Sequence, residues 1–93
     1  MVDYDAFRSV LRKLTEVAGL PRDYFASAEF VSARYYFEPA SVGGYYVYKM
    51  VLRGVPSFRF FNGSFRVGPA EDFSDINGVP AGDPGELFIE YKY

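Results

Sequence analysis

The sequence predicts an α+β domain in which an N-terminal amphipathic helix packs on an antiparallel sheet of four or five strands. Three observations lead to this fold class. The first twenty residues repeat apolar side chains at helical spacing, and the later segments alternate in the manner of strands. An Asn62-Gly63 pair marks a tight hairpin. At 93 residues the chain is expected to form one domain, residues 1–93.

The helix is predicted over residues 3–18. Asp3 suits the N-cap because its carboxylate can accept the unpaired amides of the first turn. Gly19 can adopt the left-handed conformation that ends a helix, and Pro21 prevents its continuation. The apolar stripe that would face the sheet consists of Tyr4, Phe7, Val10, Leu11, Leu14 and Val17.

Five strands are predicted after the helix. Branched and aromatic residues dominate these segments, and glycine or proline interrupts the chain between them. A long acidic loop, rich in Gly, Pro and Asp, is predicted at residues 68–85. The strands are expected at about residues 28–38, 45–53, 57–61, 64–67 and 86–92.

The predicted hairpin, SFRFFNGSFRV at residues 57–67, sets two arginines between phenylalanines. A two-residue turn would place Arg59 directly opposite Arg66, on the face away from the core. Like charges in that position repel, so we expect an anion between them. A partner's carboxylate or a phosphate could supply it. The acids of the last strand that could do the same are Glu86 and Glu90.

The same alternation gives the other strands an outward face that mixes cations with aromatic rings. We take the more apolar side of each strand as the inward side. In the first predicted strand the outward residues are then Phe30, Glu38 and every second residue between them. The candidate binding residues on this face are Arg34, Tyr36, Tyr45, Lys49, Arg53, Arg59, Phe61 and Arg66.

This composition is typical of surfaces that bind single-stranded DNA or RNA. Bases stack on aromatic rings, each for about 1–3 kcal/mol, while Lys and Arg contact phosphates. We therefore predict a non-enzymatic binding module that binds single-stranded nucleic acid largely without regard to sequence. The alternative is a protein-interaction or self-association module that uses the same aromatic face, with a homodimer or another protein as its partner. A net charge of −2 favours that alternative, since nucleic-acid binders are usually basic.

Most catalytic chemistries are made improbable by composition. Histidine and cysteine are absent, so the commonest general base, the thiol nucleophile and thiolate metal sites are excluded. Asp72 and Asp75 are close in sequence, but loop acids at this spacing usually stabilise turns. Asp75 and Asn77 also lack the ligand spacing of a calcium loop. We predict no catalytic residue, no metal site and no cofactor.

The N-terminus and the rarer residue types bear on location and source. MVDYDAF carries acids and no long apolar run, so we expect neither a signal peptide nor a membrane span, and a cytoplasmic protein. Cys and Gln are absent, and Met and Asn are rare. This depletion of thermolabile residues favours a thermophilic source.

Overall fold

The computed structural model describes residues 2–93 and confirms the predicted α+β class, with one helix and a five-stranded antiparallel sheet. Residue 1, with which the predicted domain begins, lies outside the described residues. The helix, α1, spans Tyr4–Ala18. The strands are β1 (Glu29–Pro39), β2 (Gly44–Arg53), β3 (Phe60–Phe61), β4 (Phe65–Pro69) and β5 (Leu87–Lys92).

Both ends of α1 are capped as the sequence predicts. The Asp3 carboxylate accepts the backbone amides of Asp5 and Ala6 at 3.1 and 3.3 Å. At the other end Gly19 has a φ of 67°, the left-handed conformation that turns the chain out of the helix. Within residues 2–93 there is no helix of the length and apolarity that crossing a membrane requires.

The strands are ordered β1-β2-β5-β4-β3, and every neighbouring pair is antiparallel. The last strand in sequence, β5, therefore lies at the centre of the sheet, between β2 and β4. This insertion brings the acids of the C-terminal segment beside the cations of the middle of the chain.

The two faces of the sheet are covered differently. On one, called the helix face, residues of α1 share a core cluster with the sheet, and the Phe7 ring meets the Tyr48 ring edge-on at 5.1 Å. The opposite face, called the outer face, is partly covered by residues 70–86, where Ala70 and Phe73 pack on Val51 and Phe88. The buried residues of the helix-face cluster include Val10, Leu11, Leu14, Met50, Leu52, Phe65, Val67, Leu87 and Ile89.

The hairpin register predicted from Asn62-Gly63 is wrong by two residues. Phe61 pairs with Arg66, so four residues, 62–65, separate the paired positions instead of two. A type I′ turn requires positive φ at both central residues, and only Gly63, with a φ of 88°, has it.

The Asn62 side chain explains the wider loop. Its oxygen accepts the backbone amides of Ser64 and Phe65 at 3.1 and 2.8 Å, which closes the chain on itself. A shift of two residues leaves side chains on their predicted faces, because faces alternate with a period of two. Arg66 thus still points away from the core, whereas Arg59 lies before β3 and is not opposite it.

Two further predictions are corrected at the ends of strands. The strand predicted at 57–61 is reduced to Phe60–Phe61. Further pairing along β4 would bring residue 58 opposite Pro69, which has no amide hydrogen to donate. The segment predicted as a loop at 68–85 begins with the end of β4 and a short 3₁₀-helix, Ala70–Asp72.

A β-bulge corrects the prediction for the start of β1. The register shifts between Phe30 and Ser32, so Val31 is the extra residue. Phe30 consequently turns to the helix face, where its ring lies 5.0 Å from that of Tyr4 and 6.2 Å from that of Phe7. Val31, predicted to be inward, is exposed.

Candidate binding surface on the outer face

One row of side chains crosses the outer face from edge to edge. Arg34 of β1 is the partner of Lys49 in β2, and Lys49 is the partner of Glu90 in β5. Glu90 in turn is opposite Arg66 of β4, which is opposite Phe61 of β3. Strand order thus places four of the eight predicted site residues in one line, with a carboxylate at its centre.

Of the anions considered for the pair Arg59 and Arg66, Glu90 lies beside Arg66, whereas Arg59 is paired elsewhere with Asp72. The Glu90 carboxylate is buried, at 3% exposure, and accepts two hydrogen bonds from the Arg66 guanidinium at 2.9 and 3.2 Å. The Lys49 ammonium lies 3.7 Å from the same group. A forked arginine–carboxylate contact is geometrically specific, so Glu90 fixes where both cations project.

Cations also lie over tyrosine rings on this face. The Arg34 guanidinium is 5.2 Å from the centre of the Tyr36 ring, and the Lys49 ammonium is 5.6 Å from it. The Lys92 ammonium is 5.6 Å from the Tyr45 ring. These distances are those of cation–π contacts. Among residues 2–93 no carboxylate forms an ion pair with Arg34.

Lys92 belongs to this surface although the sequence did not identify it as a site residue. Its ammonium donates to the Glu38 carboxylate at 2.9 Å. That hydrogen bond lowers the pKa of Glu38 and raises the pKa of Lys92. The alternation of β5 does direct Lys92 outward, but it does not show that β5 lies beside β2.

Arg53 and Arg59 do not join the row. Arg53 lies 3.0 Å from Glu86 and 3.9 Å from Glu29, at the end of β2. Arg59 is paired with Asp72 of the 3₁₀-helix. Both arginines are therefore held by acids at the part of the sheet that residues 70–86 cover.

The segment 70–86 is anchored by an aromatic contact. The Phe73 ring stacks on Phe88 at 4.4 Å and lies above Gly68, where an added Cβ would meet it at 2.9 Å. Asp75 stabilises its own turn by accepting the backbone amides of Asn77 and Val79 at 2.8 and 3.0 Å. Asp72, Asp75 and Glu86 of this segment thus have structural partners, and Asp75 acts as the turn-forming residue that the sequence predicts.

The uncovered part of the outer face carries an excess of positive charge. A groove of about 390 Å³ separates it from the covering segment, with Arg34, Lys49 and Arg66 on one side and Asp72 and Asp75 on the other. The row itself has three cations, Arg34, Lys49 and Arg66, against the single carboxylate of Glu90, hence two positive charges in excess. Lys92 and Glu38 beside it neutralise each other, and Asp72 and Asp75 lie on the covering segment across the groove.

A second aromatic surface lies on the helix face and was not predicted as a site. The Tyr46 ring stacks between Tyr35 and Tyr93 at 5.9 and 5.7 Å, and the hydroxyls of Tyr35 and Tyr93 are 3.0 Å apart. That hydrogen bond raises the pKa of Tyr35 to about 12. We call this group the tyrosine cluster; its members are Tyr35, Phe37, Tyr46, Tyr48, Tyr91 and Tyr93.

The sequence assigned these rings to the core side, and they do lie on that side. Four of them remain about half exposed: Tyr35, Phe37, Tyr46 and Tyr93. The helix is about 22 Å long and β1 about 36 Å, so part of the helix face is left without cover. The sequence feature that could have indicated this exposure is the use of tyrosine in place of aliphatic residues, because tyrosine is less often fully buried.

No family model, curated protein or solved structure matches this chain. Within residues 2–93 no group of three or more acids is arranged to hold a metal ion. The chemistry of the two exposed surfaces is therefore the basis for a functional proposal.

Proposed function

We propose that the protein is a non-enzymatic module that binds single-stranded DNA or RNA on the uncovered part of its outer face. The observation that carries the proposal is the row from Arg34 to Phe61, flanked by Tyr36 and Tyr45 and bearing two positive charges in excess. Cations for phosphates and rings for bases are combined on one open sheet, the arrangement that single-strand binding uses.

The residues of the row have separate tasks in this proposal. Phe61 is 72% exposed and Tyr45 is 47% exposed, so both offer a ring face to a base. Tyr36 is less exposed and supports the cations of Arg34 and Lys49. Four inter-strand steps of about 4.8 Å give the row a length of about 19 Å, which suits a short single-stranded segment.

Glu90 fixes the positions of Arg66 and Lys49, and it also limits the affinity of this surface for nucleic acid. Phosphate must compete with the buried carboxylate for Arg66 and Lys49. Arg34 has no such competitor among the described residues and is the cation with most to gain from a phosphate. Because stacking accepts every base and the cations contact only the backbone, recognition is largely independent of sequence.

The direct test is fluorescence anisotropy with labelled single-stranded oligonucleotides at two salt concentrations. Phosphate contacts release counterions, so the affinity must fall steeply as salt rises. Absence of binding at low salt, or binding that salt leaves unchanged, would contradict the proposal.

Two substitutions should act in opposite directions. Arg34→Ala removes one phosphate contact and lowers the logarithmic salt slope by about 0.7 for a single strand. Glu90→Gln frees Arg66 and Lys49 from their counterion and should tighten binding. The matched controls are Arg12→Ala on α1 and Glu71→Gln in the 3₁₀-helix, which change net charge equally outside the row.

Equal effects of the controls and the site variants would show a response to net charge alone and would contradict a defined site. Thermal unfolding of each variant separates loss of binding from loss of fold.

A protein-interaction role is the second candidate, and the half-exposed tyrosine cluster of the helix face favours it.

A further inference from the structure

Among the described residues 2–93, no strand pairs with the outer edge of β1, which therefore presents backbone groups without a strand partner. Tyr46 and Tyr93 exchange both of their backbone hydrogen bonds at 3.0 Å, so Tyr46 directs its amide and carbonyl toward β5. In an antiparallel ladder this direction alternates along the strand. Odd-numbered residues of β2 therefore bond to even-numbered residues of β1. The β1 residues whose amides and carbonyls point away from the sheet are Ala33, Tyr35 and Phe37.

This edge is protected at its ends but open between them. The bulge at Val31 and Pro39 limit pairing at the two ends, and the charges of Arg34 and Glu38 discourage pairing with a strand that does not match them, while residues 32–38 form a regular strand without lysine. Tyr35 and Phe37 on this strand are also about half exposed. The opposite edge of the sheet, β3, is only two residues long, so β1 is the longer template for an added strand.

We propose that the partner of this edge is a second copy of the same chain, paired antiparallel about a two-fold axis at Tyr36. In this register Arg34 faces the partner's Glu38, and Tyr35 faces the partner's Phe37. The symmetry repeats each contact, which gives two ion pairs and two aromatic pairs. Cross-strand pairs of both kinds stabilise a sheet.

Other two-fold registers are less complementary. An axis at Arg34 would set that cation against its own copy, which is repulsive. With an axis at Tyr35, Arg34 would face the partner's Tyr36, and Glu38 would face the partner's Ser32. The free amides and carbonyls of β1 belong to odd-numbered residues. A register that set odd-numbered residues of one chain opposite even-numbered residues of the other would leave these groups without a partner. The axis at Tyr36 alone matches charge with charge.

The dimer would form one continuous ten-stranded sheet. A two-fold axis perpendicular to the sheet keeps both helix faces on the same side, so the tyrosine clusters of the two protomers would adjoin. Tyr35 and Phe37 would lose the solvent exposure that they have in a single chain. This dimer is carried by the β1 edge and forms without nucleic acid. It gives Arg34 a counterion in the partner's Glu38, which Lys92 of its own chain also contacts at 2.9 Å, so in the dimer phosphate would compete with that carboxylate for Arg34.

Sedimentation equilibrium without nucleic acid tests the dimer and its register. We expect twice the chain mass of 10.6 kDa. Arg34→Glu and Glu38→Arg should each weaken the dimer at least tenfold, and the double variant should recover much of the loss. A monomer at concentrations up to about 1 mM, or a double variant no better than the singles, would overturn the proposal.

A cysteine cross-link tests the axis independently, because the chain has no cysteine of its own. Residue 36 would face its own copy with a Cα separation of about 4.5 Å, a distance that a disulfide can span. Tyr36→Cys should therefore form a disulfide-linked dimer under mild oxidation, and Ser32→Cys should not. Failure of Tyr36→Cys to cross-link, or equally fast cross-linking of Ser32→Cys, would exclude this register.

Discussion

At the residue scale, two buried glutamates organise the outer face. Glu90 is held by Arg66 and Lys49, and Glu86 by Arg53 and the backbone amide of Asp83. A buried carboxylate requires such partners, because an uncompensated buried charge is strongly destabilising. The cations remain partly in water, so these contacts combine a fixed anion with cations that can still reach a ligand.

Glu86 makes the stability of the fold dependent on pH. Hydrogen bonds from the amide of Asp83 and then from Arg53 lower the pKa of the Glu86 carboxyl below its usual range. A lowered pKa stabilises the fold above the unfolded value, and this contribution is lost as pH falls through the folded value. Glu86→Gln should therefore be less stable than the wild type at pH 7, with a difference that shrinks below about pH 4.5.

Denaturant unfolding of both proteins at several pH values measures this difference. Glu71→Gln is the control, since Glu71 is exposed and in no ion pair with a described residue. A Glu86→Gln deficit that stayed constant down to pH 3 would show that its cause is packing and not charge.

At the element scale, the segment between β4 and β5 acts as a partial cover for the sheet. Its contact with the outer face depends on Phe73, which stacks on Phe88 and lies near the Arg66 guanidinium at 5.5 Å. An isolated bridge between Ser74 and Pro80 closes the segment on itself. The Phe73 ring thereby holds the middle of this segment on the sheet, while buried Ala70 and the Arg59–Asp72 ion pair hold its start.

Phe73→Ala should detach this cover. The ring is only partly buried, so we expect a loss of about 2 kcal/mol, less than the roughly 3–5 kcal/mol of a fully buried phenylalanine. Ile76 in the same segment is fully exposed, and Ile76→Ala should change stability by less than about 0.5 kcal/mol. Chemical unfolding compares the two, and equal losses would contradict the assignment of Phe73 as the anchor.

At the scale of the whole molecule, the sheet separates two exposed aromatic surfaces between its faces. The outer face carries the cations and the row that we propose to bind nucleic acid, while the helix face carries the tyrosine cluster beside the β1 edge. Tyr45 and Tyr46 represent this division: they are adjacent in sequence and 47% and 46% exposed, yet they lie on opposite faces.

These neighbours provide a matched test of which face binds. Tyr45→Ser should weaken oligonucleotide binding about fivefold or more, the equivalent of about 1 kcal/mol of base stacking. Tyr46→Ser should leave it within about twofold, because its ring is on the helix face. Anisotropy titrations of both variants measure the ratio, and a larger effect of Tyr46→Ser would move the proposed site to the tyrosine cluster.

Local patterns predict much of this fold and of the position of the site residues. The Asp3 and Gly19 caps follow from backbone chemistry within a few residues of each helix end. Alternation assigns Arg66 and Phe61 to the outer face even though the hairpin register was wrong, since an error of two residues preserves the face. The bulge at Val31 escaped prediction because an inserted residue changes the face, and nothing in the local alternation reveals it.

The sequence by itself determined the helix, the strand segments and the outward direction of Arg34, Lys49 and Arg66, because these depend on periods of 3.6 and 2 residues. Only the tertiary structure decided what lies beside them. The insertion of β5 between β2 and β4 places Glu90 between Lys49 and Arg66. Pairing between strands so distant in sequence is a property of the assembled sheet, and no local pattern encodes it.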